Sequence, residues 1–390
     1  MPTKWRLSGD HRAVTSFFIA IVTSFVACGL IIRISRLRGG MAWDDDRLGG
    51  VQKFHARVVP RVGGIAIAVA LLALAVVMVI TDRKLVPQFA VLLLCGVPAW
   101  LAGLAEDVTK RVGVLVRLLA TMVSGGLAFW LLGAEIRRID VGFVDALLLY
   151  STASLLLTAM ATGGMANAIN IIDGYNGLAA VVACVMFLSM AYVGLQVGDP
   201  LVVAAALSCT GALVGFLLWN WPRGLIFLGD GGAYLVGYLL AVLVILLVSR
   251  NPSVSPWYAL VLFIYPVWET MFSVWRRKFL RGANPGLPDG LHLHTLVFRR
   301  LVRWAVGRRE AASITLRNSL TAPYLWALSS MAVVPASLLW RHTLALQVVA
   351  ALFCFFYVWL YARLVRFRAP RLLVMRSKRG GLLSRWRDDI

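Results

Sequence analysis

Charged residues are scarce in this sequence. Asp, Glu, Lys and Arg make up only 15% of the 390 residues, and 18 of these are acidic. Because a soluble globular protein carries about 25% charged residues, the shortage excludes an ordinary soluble fold and favours an integral membrane protein. The five cysteines lie in apolar runs without metal-ligand spacing, so we expect packing residues and predict no disulfides.

Eleven long stretches contain no charged residue at all. A helix needs about 20 apolar residues to span a bilayer, and most of the stretches are near this length. We therefore predict an all-α integral membrane protein with about eleven transmembrane helices. The stretches are residues 14–32, 62–81, 85–105, 118–134, 146–172, 174–198, 200–222, 231–249, 251–268, 318–340 and 342–362.

Basic residues fall mainly on one side of the predicted membrane. Of the 39 Lys and Arg, 30 lie on the side of the first loop, residues 33–61, and nine lie on the other. The positive-inside rule places this loop and the C-terminus in the cytoplasm and the N-terminus outside. The net charge of +21 then reflects cytoplasmic loops and anionic headgroups, so we expect membrane lipids and not nucleic acid as partners.

This topology predicts one multi-span domain over residues 1–365 and a basic cytoplasmic tail over residues 366–390. An active site on the cytoplasmic side would be built from the loops there. These loops are residues 33–61, 104–117, 170–178, 220–232 and 269–317.

Asp173 is the single charge between two of the apolar runs. Asn167 and Asn170 precede it at intervals of three residues, which keeps all three near one face of a helix. An acid at the mouth of two apolar helices is costly unless it meets water, a cation or a substrate. For this corner alone, a helix-turn-helix with polar caps is an equally good interpretation.

Three further acidic corners lie at predicted cytoplasmic helix ends. Glu106 and Asp107 end the third run, Asp230 precedes the eighth in a glycine-rich segment, and Glu269 lies at the inner end of the ninth. Glu106 and Asp107 alone could be a solvated helix end, and Asp230 alone could belong to a glycine-rich turn. Glu269 is harder to explain structurally, because it lies within an apolar helix. Four corners from separate helices favour one shared site.

Basic side chains and histidines lie in the same loops as these acids. Carboxylate oxygens suit Mg²⁺, while Lys, Arg and His meet phosphate oxygens, so the mixture predicts a site for a divalent cation and phosphates. Two of the histidines are only two residues apart, which is poor spacing for zinc on a helix and indicates a loop pair, either structural or contacting phosphate. The residues are His55, Arg61, Lys110, Arg111, Arg117, His292 and His294.

Several of these segments resemble motif blocks of the polyprenyl-phosphate N-acetylhexosamine-1-phosphate transferases, which form glycosyltransferase family 4. Residues 167–178 resemble its Asn-x-x-Asn-x-x-Asp-Gly-x-x-Gly-Leu block, and residues 227–232 its Phe-(Met/Leu)-Gly-Asp-x-Gly block. Residues 103–107 resemble a block that ends in paired aspartates. Residues 60–64, preceded by His55, are similar to the family's first cytoplasmic loop.

The resemblance covers about residues 14–300, in the family's order, with departures at single positions. A glutamate in place of an aspartate keeps the charge but moves it outward by one methylene. The departures are Glu106 for the first Asp of the pair, Asn176 for a second Asp after Asp-Gly, Glu269 for Asp in a Pro-x-x-Asp…Arg-Arg segment, and His292-Leu-His294 for a longer His-rich motif.

The resemblance implies an enzyme that transfers N-acetylhexosamine-1-phosphate from a UDP-sugar to undecaprenyl phosphate and releases UMP. It implies Mg²⁺, or Mn²⁺ in its place, and a bacterial inner-membrane location with the active site facing the cytoplasm. The first loop has the His…Pro-Arg-x-Gly-Gly form of the nucleotide-sugar branch, which favours initiation of O-antigen, enterobacterial-antigen or capsule glycans over peptidoglycan synthesis. A homodimer is left open.

The same resemblance suggests roles for the acids. Asp230 is the first choice as a magnesium ligand, because its glycine-rich corner lets backbone approach a diphosphate, and Asp107 is the second. Glu106 and Asp107 would activate the lipid phosphate or support the metal, by direct attack or through a covalent intermediate. Asp173 would serve the nucleotide-sugar side. The substrate-binding candidates are His55, Arg61, Lys110, Arg111, Asn167, Asn170, Glu269, His292 and His294.

The alternative is a multi-span transporter of an anionic or phosphorylated solute. A transporter usually places its charged site near mid-membrane and is often built from repeats. Here the acids lie at one predicted side and no internal repeat stands out, so the transferase interpretation is favoured.

Overall fold

The computed structural model describes residues 4–37, 59–280, 282, 290–302 and 311–366. All regular elements in these ranges are helices, which confirms the all-α prediction. His55 and residues 367–390 of the predicted tail lie outside the described residues. The helices are α1 (Lys4–Leu37), α2 (Gly63–Thr81), α3 (Val86–Thr109), α4 (Val114–Leu132), α5 (Gly142–Leu148), α6 (Ser151–Ile172), α7 (Leu178–Val197), α8 (Pro200–Asn220), α9 (Gly229–Arg250), α10 (Pro256–Leu262), α11 (Ile264–Trp275), α12 (Leu293–Val297), α13 (Ala311–Leu338) and α14 (Thr343–Val365).

Nine helices of the described part are long and apolar enough to cross a membrane, which supports a multi-pass protein. The pair α10 and α11, bent by 69°, raises this number to ten if it forms one span. The tenth predicted stretch, residues 318–340, lies mostly in α13, which is long enough but less apolar, with Pro323, Pro335 and the buried Asn318 in it. The total of eleven spans and the sides of the two termini stay predictions.

Two charge-free runs are not the single helices that their length predicted. Residues 251–268 are divided at Phe263, where α10 ends and α11 begins. Pro266 has no N–H with which to continue the hydrogen bonding of α10, so a break just before it has a local cause. Residues 146–172 are divided between α5 and α6. The length of a charge-free run does not reveal such breaks.

Helix α9 is the centre of the bundle. It packs against α2, α3, α6, α7 and α8, and 94% of its apolar stretch is buried. A helix that is apolar on all sides is typical of such a core position. Its N-terminal end therefore lies where several helices meet, and this end carries Asp230.

The N-terminal end of α9 touches the backbones of α2 and α3. A Cβ atom at Gly103 of α3 would lie 2.6 Å from the carbonyl carbon of Asp230, and one at Gly64 of α2 would overlap the backbone of Gly232. Larger residues could not occupy these positions without moving the helices apart. Glycines from three motif blocks thus bring three helix ends together.

Candidate active site

Asp107, in the last turn of α3, caps the N-terminus of α9. Its Oδ1 atom accepts the backbone N–H of Asp230 at 2.9 Å, and its Oδ2 atom accepts that of Gly231 at 2.8 Å. The first N–H groups of a helix have no partner within the helix, and its N-terminus attracts negative charge. The buried carboxylate of Asp107 satisfies both requirements. Two acidic corners that are far apart in sequence therefore form one unit.

The side chain of Asp230 connects three helices. Its Oδ1 atom accepts a hydrogen bond from Nδ2 of Asn170 in α6 at 2.9 Å, and its Oδ2 atom forms an ion pair with Arg117 in α4. The guanidinium of Arg117 also lies over the ring of Tyr234, 5.7 Å from its centre. The sequence predicted Arg117 to be one of the basic residues that meet phosphate oxygens; in the structure its guanidinium is paired with Asp230.

The segment before α2 joins the same site through its backbone. Phe227 donates its N–H to the carbonyl of Pro60, and Gly63 donates to the carbonyl of Phe227, both at 2.9 Å. Gly229 has φ +75°, and a Cβ atom there would overlap the carbonyl oxygen of Arg61. Only glycine fits this backbone conformation and this contact.

Asp173 follows the last residue of α6 and is half-buried. Burial raises the pKa of its carboxyl group to about 8; the positive charge of Arg61 acts against this rise, and the negative charge of Asp107 adds to it. No described residue donates a hydrogen bond to the Asp173 carboxylate. Compared with Asp107 and Asp230, it is the acid that a ligand or cation could meet without displacing any of the described groups.

The two histidines reach the Asp173 corner from the start of α12, His294 in its first turn and His292 just before it. The ring of His294 is buried and meets the ring of Tyr175 edge-on, with 5.4 Å between the ring centres. Its Nε2 atom lies 3.5 Å from the position that a Cβ atom of Gly174 would occupy. The ring of His292 stacks on that of His294 at 5.0 Å. His294 is therefore next to the Asp173 corner, as the shared-site hypothesis expects.

Glu269 is also connected to the histidines, but behind them. It is 1% exposed, and its Oε1 atom accepts hydrogen bonds from Nδ1 of His292 and the N–H of Leu293, both at 3.0 Å. Its Oε2 atom accepts one from the hydroxyl of Tyr357 at 2.8 Å. Both oxygens of Glu269 therefore accept hydrogen bonds from protein groups, whereas the sequence predicted a contact with substrate. Tyr357 lies in an apolar run, so the sequence offered no signal for it.

The remaining candidates lie around this cluster. Glu106 accepts the N–H of Val112 at 2.7 Å and so closes the turn after α3, a structural contact that the sequence did not predict. Lys110 follows the last residue of α3 with φ 56° and acts electrostatically on Asp107. Arg111 is exposed in the next position. Asn167 lies half-buried one turn before Asn170.

Asn176, the departure after Asp-Gly, points away from the acids. Its backbone N–H donates to Oδ1 of Asn318 in α13 at 2.8 Å, and its Nδ2 donates to the carbonyl of Pro222 at 3.1 Å. An aspartate here would lack the donor for Pro222. The amide therefore holds the corner against α13.

An apolar groove of about 880 Å³ lies beside the cluster, between α6, α9, α10 and α11. On α6 it begins at Ala168, two residues before Asn170, and on α11 it includes Thr270. At its far end it reaches Arg137 and Arg250. The polar cluster thus lies close to one end of an apolar channel.

Fold and site together define a multi-pass membrane protein in which acids, a guanidinium and histidines surround a buried helix N-terminus beside an apolar groove. Residues 89–248 match the family model described as glycosyl transferase family 4. The chain belongs to this family, as the resemblance predicted.

Three relatives illustrate the similarity. A decaprenyl-phosphate N-acetylglucosaminephosphotransferase of Mycobacterium leprae is 30% identical over 318 residues, 72% of this chain and 75% of the relative. A probable undecaprenyl-phosphate N-acetylglucosaminyl 1-phosphate transferase of Bacillus subtilis is 26% identical over 316 residues, 78% and 81%. An undecaprenyl-phosphate alpha-N-acetylglucosaminyl 1-phosphate transferase of Thermotoga maritima is 28% identical over 253 residues, 65% and 72%.

Proposed function

We propose that this protein transfers N-acetylhexosamine-1-phosphate from a UDP-sugar to undecaprenyl phosphate, giving lipid-diphosphate-sugar and UMP. The observation that carries the proposal is that Asp107, Asp173 and Asp230 come together close to an apolar groove, which none of the three lines. Phosphoryl transfer needs mainly positioning and neutralisation of charge, which acids with a cation, arginines and histidines supply. The relatives named above support the same reaction class.

The acceptor lipid has an apolar tail and a phosphate, and the apolar groove suits the tail. A tail lying between α6 and α11 would bring its phosphate toward Asn170 and the acidic cluster. The arginine- and histidine-containing loops would lie on the cytoplasmic side of a bacterial inner membrane, where a water-soluble UDP-sugar enters. The form of the first loop favours O-antigen or capsule-type initiation within this function.

The residues present fit a magnesium ion that arrives with the donor. No group of three His, Cys, Asp or Glu side chains in the described part of the chain could hold a metal by itself. Mg²⁺ is, however, commonly held by one or two carboxylates together with substrate phosphates and water. Asp173, whose carboxylate accepts from none of the described residues, would hold it, together with Asp230, one of whose oxygens would have to give up Asn170 or Arg117. The ion would supply positive charge at the donor diphosphate.

The structure suggests a different role for Asp107, the second ligand predicted from the sequence. Both of its oxygens already accept backbone N–H groups of α9. We therefore assign Asp107 to holding Asp230 in place. Arg61 and His294 would donate to the donor diphosphate, where negative charge grows on the departing UMP.

The test is an assay of purified protein with UDP-N-acetylglucosamine, undecaprenyl phosphate and Mg²⁺. We expect release of UMP that requires both the lipid and the metal and stops with EDTA. A panel with UDP-N-acetylgalactosamine and other UDP-sugars would identify the donor. UMP release that does not depend on the lipid, or no release with any donor, would contradict the proposal.

A further inference from the structure

The carboxylate of Glu269 stands between the apolar helix α11 and the segment that carries the histidines. It accepts three hydrogen bonds, from His292, Leu293 and Tyr357, and Tyr357 belongs to the last helix, α14. A charged group in apolar surroundings persists only when its partners satisfy it in this way. Its contacts therefore tie α11, α12 and α14 together at one buried point.

Glu269 faces away from the apolar groove. Val267, Thr270 and Met271 of the same helix line the groove, and residues three and four positions apart share one helix face. Glu269 instead points to α12 and α14, as its hydrogen bonds require. Its contacts therefore lie on the side of α11 that an acceptor tail would not touch.

The ring of His294 is at the other end of these contacts. His292, held by Glu269 through Nδ1, stacks on His294, and His294 lies against Gly174, the residue after Asp173. A carboxylate beside Nδ1 keeps the proton on that nitrogen and fixes the orientation of the His292 ring. A shift of His292 would therefore disturb the ring next to Asp173.

We propose that Glu269 and Tyr357 are positioning residues for the donor side of the site. They fix His292 and Leu293, and through them they hold the ring of His294 beside Asp173. The kinetic consequences rest on the proposed function, whereas the contacts themselves do not. Glu269 accordingly acts through the histidines and has no direct contact with substrate.

Tyr357→Phe tests this proposal, with Tyr265→Phe as the matched control. Both tyrosines are fully buried, and the Tyr265 hydroxyl, which also lies near Glu269, has no hydrogen-bond partner among the described residues. Tyr357→Phe should lower kcat/KM for the UDP-sugar about tenfold, the effect of losing one hydrogen bond to a charged group. The KM for undecaprenyl phosphate should not change, and Tyr265→Phe should alter neither constant.

A double variant shows whether Tyr357 acts through His294. In a His294→Ala background, Tyr357→Phe should cause no further loss, because both changes affect the same ring. Losses that multiply, or an equal loss from Tyr265→Phe, would overturn the proposal.

Hydrogen–deuterium exchange of residues 290–297 gives a result that does not depend on catalysis. Exchange in this segment should be faster in Tyr357→Phe than in the wild type or in Tyr265→Phe, because the acceptor of the Leu293 N–H is less firmly held. Unchanged exchange would overturn the positioning role. If the wild type transfers no sugar phosphate, the proposed function is wrong. Faster exchange of residues 290–297 in Tyr357→Phe would still support the positioning role in that case.

Discussion

The carboxylate of Asp107 binds the backbone of Asp230 and not its side chain. Its two oxygens receive the N–H groups of Asp230 and Gly231, at 2.9 and 2.8 Å. The Asp230 carboxylate is thereby turned toward Asn170 and Arg117. One acid of the site thus fixes the orientation of another.

Asp107→Asn should destabilise the protein, because one oxygen becomes an NH₂ group facing a backbone N–H. Loss of a hydrogen bond to a charged acceptor costs about 2 kcal/mol, which would lower the midpoint of thermal unfolding by about 2 °C in a chain of this length. Glu106→Gln is the control, since glutamine keeps an oxygen for the N–H of Val112. If both variants unfold at the wild-type temperature, the capping role is wrong. If Glu106→Gln alone abolishes transfer, the roles of the pair are reversed.

Asp230→Asn should abolish transfer in a protein that still inserts and folds. The amide can accept from Asn170 but offers no charge to a cation or to Arg117, so we expect at least about a 100-fold loss of turnover. Asp199→Asn is the matched control, because Asp199 only caps α8 through the N–H of Val202 and asparagine caps equally well. Near-normal UMP release by well-folded Asp230→Asn would exclude Asp230 as a ligand.

Asp173 should make the stability of the metal-free protein depend on pH. Burial raises the pKa of its carboxyl group to about 8, so in the folded state the group keeps its proton up to about that pH. In the unfolded chain an aspartate loses its proton at about pH 4. The folded state then binds more protons between these values, so stability falls as the pH rises through that window. Unfolding temperatures measured in EDTA from pH 5 to 9 should decline less in Asp173→Asn. If the unfolding temperature falls equally with pH in the wild type and in Asp173→Asn, Asp173 does not titrate in this way.

Arg61→Ala and His294→Ala should weaken use of the UDP-sugar more than use of the lipid. Both side chains lie at the Asp173 corner, where the donor diphosphate is proposed to bind. We expect kcat/KM for the donor to fall about 100-fold, while KM for undecaprenyl phosphate stays near the wild-type value. Assays that vary one substrate at a time would measure this. Equal losses for both substrates would remove these residues from the donor site.

Gly164→Leu should obstruct the groove without disturbing the helix. Gly164 lines the groove, and a Cβ atom there would meet no other atom within 4 Å. Leucine also favours a helix more than glycine does. The KM for undecaprenyl phosphate should rise about tenfold, by loss of roughly 1.4 kcal/mol of binding, and the KM for the UDP-sugar should not change.

Gly126→Leu in α4 is the control for this prediction. Gly126 does not line the groove, and a Cβ atom there would have only an ordinary contact with Leu155. An unchanged lipid KM in Gly164→Leu, or an equal rise in both variants, would place the tail elsewhere.

The sequence predicted the helical class and much of the shared site, because charge-free length and isolated acids reflect the cost of charge in a membrane. That reasoning brought Asp107, Asp173 and Asp230 together. It did not predict that Tyr357 is one of the partners of Glu269, because Tyr357 looks like any other aromatic residue in an apolar run. The break at Phe263 was also missed, since Pro266 was counted only as an uncharged residue.

The cap on α9 has a consequence for the order in which the chain is made. During synthesis Asp107 is added to the chain 123 residues before Asp230, whose N–H its carboxylate accepts in the folded protein. Until α9 enters the bundle, the C-terminal end of α3 holds an acid without these two donors, a costly state away from water. A ribosome-bound chain that ends after α8 should therefore keep α3 exposed to water or to a helper protein at this end. We therefore expect insertion of α9 to be the step that fixes the position of α3.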